Sequence, residues 1–89
     1  SLKIRIAQLE QNTGYKKDTA WLNAVNILAF SYAETNPDSS LLLLKNHASD
    51  CREAGYILGE AAAYSNMGVA YYNKGDYTAS IDQLNQSLE

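Results

Sequence analysis

The chain holds a single cysteine, Cys51, and a single histidine, His47. One cysteine closes no internal disulfide, and one copy of the chain builds no multi-cysteine metal cage. Charge is scarce as well: Asp, Glu, Lys and Arg make up 19% of the residues, with Asn, Ser and Tyr in their place, against the usual quarter or so. The net charge of −3 comes with no basic cluster beyond the Lys16-Lys17 doublet. A nucleic-acid groove, which needs a concentrated positive patch to release counterions, is therefore not expected. Apolar runs such as Leu41 to Leu44 are far too short to span a bilayer, and the N-terminus has no signal-peptide pattern. Direct membrane contact is not expected, and the compartment stays open between cytoplasm and periplasm.

Catalytic chemistry is missing in the same way. A lone His, a lone Cys, no Gly-rich phosphate loop and no convergent carboxylate pair leave no nucleophile and base to work together. The chain is expected to be no enzyme and to need no cofactor. His47, Asp50 and Cys51 lie within one helical turn, which is metal-ligand spacing. Cys51, however, falls on an apolar stripe, where a thiol behaves as a small hydrophobe, so no metal site is assigned.

What is present is helical periodicity. At 89 residues and 46% hydrophobic, the chain suffices for one small, marginally stable domain. Its apolar residues recur every three or four positions, and nothing alternates with the period of two that a half-buried strand requires. A first helix over about 1–12 carries Leu2, Ile6 and Leu9 on one face. A second, about 17–35, aligns Trp21, Val25, Leu28, Ala29 and Tyr32. Asn36-Pro37-Asp38-Ser39 breaks the chain, with Asn36 suited to cap and Pro37 to the first helical position. A third helix to about Ala54 turns Leu41, Leu44, Ala48 and Cys51 inward, and Gly55 ends it. The fourth, about 58–74, stacks Tyr64, Met67, Gly68 and Tyr71; after Gly75-Asp76, a fifth is marked by Tyr77, Ile81, Leu84 and Leu88. Short turns between helices imply antiparallel neighbours.

These pieces resemble one another. Val25, Leu28, Ala29 and Tyr32 map onto Tyr64, Met67, Gly68 and Tyr71 at an offset of 39, and Ser40, Leu41, Leu44 and Ala48 onto Ser80, Ile81, Leu84 and Leu88 at 40. Gly14-Tyr15 answers Gly55-Tyr56 at 41. The chain divides into a closing helix, 1–12, of a preceding repeat and two hairpins, 17–54 and 57–89. Opening on Ser1 rather than Met and stopping at Glu89 inside a periodic stretch, it is expected to be a piece of a longer array.

The run Tyr64-x-x-Met67-Gly68-x-x-Tyr71, then Gly75-Asp76-Tyr77, then Ser80-Ile81 and Leu84, resembles the tetratricopeptide repeat. That family's signature is a bulky aromatic, a Leu-Gly pair, a Tyr, a Gly-containing turn and a small residue followed by a large one. In such a repeat Gly68 would let two helices approach closely, with Tyr64, Met67 and Tyr71 around the contact. The first hairpin departs from the pattern: Ala29 stands for Gly, Asn36-Pro37-Asp38 replaces Gly-Asp-Tyr, and His47 precedes Ala48 near a site normally Ala. The resemblance implies an all-α fold of antiparallel helix-turn-helix repeats forming a short right-handed α-solenoid. Its period near 40, against the common value of about 34, looks like the long repeats of some sensory and adaptor arrays.

In this family the first helix of each hairpin lines a concave groove that holds peptides. The resemblance therefore implies a non-catalytic protein or peptide interaction module, in the setting of a bacterial signalling or regulatory protein. The residues expected on that face are Asn23, Asn26, Phe30 and Glu34 on the second helix and Ser65, Asn66, Val69, Tyr72 and Asn73 on the fourth. An asparagine amide offers donor and acceptor together and so suits a peptide backbone of any sequence. Lys and Arg are missing from these positions, so a clamp for a C-terminal carboxylate is not expected. The alternative is a spacer or self-association module without a groove. Two hairpins fall short of the three repeats or so that stacking usually requires, and Leu42, Leu43, Leu84 and Leu88 are the candidates for an exposed contact patch.

Overall fold

The computed structural model describes residues 1–88, and every regular element among them is helical. In chain order these are α1 (Leu2–Leu9), a 3-10 turn at Tyr15–Lys17, α2 (Thr19–Tyr32), α3 (Pro37–Leu44), α4 (His47–Glu53), α5 (Ile57–Lys74) and α6 (Tyr77–Ser87). The final residue of the second expected hairpin, Glu89, lies outside the described residues.

Side-chain caps set most of the starts. Ser1 Oγ accepts from Ile4 N at 3.3 Å, and Asp18 Oδ1 from Ala20 N at 2.8 Å, each satisfying a backbone donor that the first helical turn leaves unpaired. Asn36 Oδ1 accepts from Ser39 N and Asp76 Oδ1 from Ala79 N, both at 3.2 Å, so α3 and α6 open with the same cap 40 residues apart. Gly14 and Gly55 precede their tyrosines at φ 74° and 73°, a left-handed backbone that strains any residue with a Cβ.

The expected third helix is two. Lys45 and Asn46, both exposed, separate α3 from α4, and Asn46 leaves helical geometry at φ −120°, ψ 6°. Asn is a weak helix former because it readily adopts non-helical conformations. The apolar stripe hid the break, since Leu44, Ala48 and Cys51 are all buried across it. The expected first and second helices are also shorter than their sequence bounds, because Glu10 already caps α1 and Lys16 and Lys17 belong to the 3-10 turn.

The core has two centres. Leu9, Trp21, Leu22, Val25 and Cys51 form one; Ala29, Leu44, Ala48 and Ala63 form the other, and Leu43 packs against both. Trp21 organises the first: Tyr15 and His47 meet its ring edge-on at 5.1 and 5.4 Å, and its Nε1 donates to Glu10 Oε2 at 3.1 Å. The second uses small residues so that helices approach closely. Ser40 Oγ donates to Ala29 O across α2 and α3, and Ser80 Oγ to Gly68 O across α5 and α6, each at 2.7 Å. At Gly68 a Cβ would sit 2.7 Å from Leu84 Cγ and 3.3 Å from Ser80 O, so any larger residue there must push the Leu84 side chain out of the α5–α6 contact.

Tyr77, Ile81, Leu84 and Leu88, the apolar series of α6, are 59%, 59%, 39% and 85% exposed, while Ser80 is buried. The outer apolar face of α6 is not covered by any described residue to the extent its periodicity implies.

Candidate functional site

Helices α2 and α5 lie side by side, and eight of the nine residues expected on the binding face fall on these two elements; the ninth, Glu34, lies in the turn just after α2. Their asparagines do something the sequence did not reveal. Asn66, only 8% exposed, donates from Nδ2 to Asn26 O at 3.1 Å, with Asn26 Oδ1 at 3.5 Å. Asn73 Nδ2 donates to Ala33 O at 2.8 Å. Both bonds join residues 40 apart and stand two helical turns from each other, a short ladder from α5 side chains to α2 carbonyls. Asn26, 5% exposed, reaches the other way, from Nδ2 to Gly59 O at 3.1 Å.

The expectation that these amides meet a peptide backbone thus needs correcting in its partner. Three of the four amide nitrogens bond the backbone of their own chain: those of Asn26 and Asn66 are buried between two helices and must be satisfied there, while that of the more exposed Asn73 reaches Ala33 O. Asn23 is the exception. It is exposed, and its Oδ1 accepts from Tyr56 OH at 2.7 Å while its nitrogen makes no bond to a described residue.

Two hollows lie over this seam. The first, about 420 Å³, is lined by the buried Asn26 and Asn66, by the exposed Asn23 and by the apolar Ile27, Phe30 and Leu58. Those last three are 60%, 62% and 77% exposed, large apolar side chains held in water by the rigid helices beneath them. The second, about 220 Å³, adjoins it at Phe30 and brings in Glu34 and Val69. Six of the nine expected residues therefore line one hollow or the other. Ser65, Tyr72 and Asn73 line neither: Ser65 is half-buried, Asn73 is tied to Ala33, and Tyr72 packs against Tyr77 with ring centroids 5.3 Å apart.

Ile27, Tyr56, Leu58 and Gly59 belong to the first hollow and were missed. Ile27 and Leu58 were legible as apolar residues off the buried stripe. Gly59 had no local signal, since its part is to keep clear the space where a Cβ would lie 2.5 Å from the Tyr56 ring and 3.0 Å from Cys51 Sγ.

A third hollow, about 330 Å³, lies between α4, α5 and the end of α6. There Arg52 is held by Glu60 at 2.6 Å and by Tyr64 OH at 3.1 Å, so its charge is already answered. The pair sits at the surface, where such bridges contribute little.

His47 and Cys51 are both buried. His47 Nε2 donates to Leu22 O at 2.9 Å, and burial pushes the imidazole below its ordinary pKa, only partly offset by that bond and by Asp50. Burial raises the Cys51 thiol to about 11, helped by Asp50 and Glu60. Among the described residues no three His, Cys, Asp or Glu side chains gather as a metal ion would require, and no helix is long and apolar enough to cross a membrane. No family model, curated protein or solved structure matches the chain.

Proposed function

We propose that the chain is a protein-interaction module, a short right-handed solenoid of tetratricopeptide-like hairpins that receives a peptide or partner segment along the α2–α5 seam. The observation that carries this reading is the first hollow, in which Ile27, Phe30 and Leu58 stand exposed beside asparagine amides. Exposed apolar side chains grouped in a concavity mark binding surfaces far more often than scattered ones do. The repeat architecture is supported by equivalent caps at Asn36 and Asp76 and by equivalent serine bonds at Ser40 and Ser80. A flat Cα envelope of 38 × 28 × 14 Å also suits a hairpin array.

The test uses random peptides displayed on phage and selected on the 89-residue chain. Binders are expected that lose affinity on Phe30→Asp or Leu58→Asp and keep it on Ile4→Asp, a substitution at an equally exposed residue of α1 outside both hollows. Binders indifferent to all three substitutions, or no binders, would remove the reading.

Self-association is the second reading, favoured by the exposed series Tyr77, Ile81 and Leu88 on α6 and by Leu42, 75% exposed, on α3. Leu43, named with them from the sequence, is half-buried in the core. Sedimentation over a range of concentrations decides: a dimer that reverts to monomer on Ile81→Ser with Leu88→Ser supports it, and a monomer throughout rules it out.

A further inference from the structure

The α2–α5 seam carries an asymmetry of charge that narrows what it takes. Fourteen residues line the two adjoining hollows, Phe30 belonging to both, and the charged one among them is Glu34, in the second. Glu34 is exposed and belongs to neither ion pair found among the described residues, which join Arg52 to Glu60 and Lys74 to Asp38. No Lys, Arg or His lines either hollow. An apolar receptacle therefore continues into a second one that holds an unanswered carboxylate.

We infer, resting on the seam being the binding face, that its occupant is an extended segment with one large apolar residue and, two or three positions away, a lysine or arginine. The apolar residue seats among Ile27, Phe30 and Leu58; the cation meets Glu34. Spacing follows from helix geometry. From the middle of the Asn26–Phe30 stretch to Glu34 is six residues of α2 and the turn after it, which rises about 9 Å at helical pitch. An extended ligand covers that distance in about three residues. Asn23 also lines the first hollow, and because Tyr56 OH occupies its Oδ1, its amide N–H groups are the part left to meet a ligand carbonyl. A ligand carboxylate finds no cation in the seam and meets Glu34 instead, so acidic segments and C-terminal carboxylates are disfavoured.

The experiment compares peptides selected on the unaltered chain with those selected on Glu34→Lys and on Phe30→Asp. Glu34 is exposed and makes no hydrogen bond or ion pair to a described residue, so the reversal leaves helix content and Tm unchanged, checked by circular dichroism. Unaltered chain is expected to enrich a Leu, Ile, Met or Phe with Lys or Arg two or three positions from it. Glu34→Lys should turn the preference at that second position toward Asp or Glu, and weaken a resynthesised basic peptide with capped ends by about threefold to fivefold, as a partly exposed ion pair allows. Enrichment of the apolar residue alone, unchanged by Glu34→Lys, overturns this inference and leaves the seam as a binding face. Peptides that bind Phe30→Asp as well as the unaltered chain overturn both, as does a selection that yields none.

Discussion

Asn66 and Asn26 are joined across two helices by an amide that donates to a main-chain carbonyl, Asn66 Nδ2 to Asn26 O at 3.1 Å, with the Asn26 side-chain oxygen at 3.5 Å. The donor sees oxygens only, and both residues are buried. Asn66→Ala removes the bond and is expected to lower unfolding free energy by about 1–2 kcal/mol. Asn66→Asp should cost more, about 3 kcal/mol, because a carboxylate accepts and cannot donate, and it would face two oxygens. Urea unfolding at neutral pH measures both, and an Asp variant as stable as the Ala variant would contradict this geometry.

The two equivalent serines should not be equally sensitive. At the end of α2 the Ala33 N–H turns to Phe30 O, so Ala29 O loses its helical donor and relies on Ser40 Oγ. Gly68 O lies in the middle of α5, where the helix supplies a donor of its own. Ser40→Ala leaves a buried carbonyl unpaired and should cost about 1–3 kcal/mol, while Ser80→Ala should cost about 1 kcal/mol or less. Thermal unfolding of the two variants gives the comparison directly.

Stability should fall on the acid side because of His47. Its folded pKa lies below the ordinary value of 6.5, chiefly from burial. The unfolded chain therefore binds the proton more readily, and stability rises with pH until the unfolded imidazole is neutral. The expected profile is flat above about pH 7 and declines as pH drops below 6.5, levelling once the folded imidazole also titrates. His47→Gln, which keeps an N–H donor without the titration, should flatten that part of the curve in urea unfolding from pH 5 to 8.

Cys51 should be nearly inert in the folded protein. With the thiol pushed up to about 11 and fully buried, about one thiol in a thousand is ionised at pH 8, and only the thiolate reacts. A disulfide reagent at pH 8 is expected to label it slowly in buffer and quickly in denaturing urea. Fast labelling without denaturant would mean that α4 opens readily.

Gly59→Ala sets two effects against each other. A methyl group favours the helix by up to about 1 kcal/mol. Here it would lie 2.5 Å from the Tyr56 ring and 3.0 Å from Cys51 Sγ, and overpacking of that kind typically costs about 1–3 kcal/mol. The net expectation is a destabilisation of about 1 kcal/mol. Displacement of Tyr56 should also break its bond to Asn23, so peptide affinity is expected to fall together with Tm.

The sequence by itself determined the helical class and the breaks at Asn36 and at Gly75-Asp76, though not the one at Lys45-Asn46. Periodicity of apolar residues needs no tertiary knowledge, and the caps at Asn36 and Asp76 follow from side chains that reach only their own first turn. Tertiary structure decided what the polar residues do. Asn23 and Asn66 are both asparagines on the expected face, yet one is exposed and the other buried, and that difference depends on how closely α2 and α5 approach. The same approach turned the amides of Asn26 and Asn66 inward and left Ile27 and Leu58 outside. A helix specifies which residues share its face; the neighbour against which it packs determines which part of that face is covered, and hydrogen bonds must then be found for whatever polar groups lie beneath.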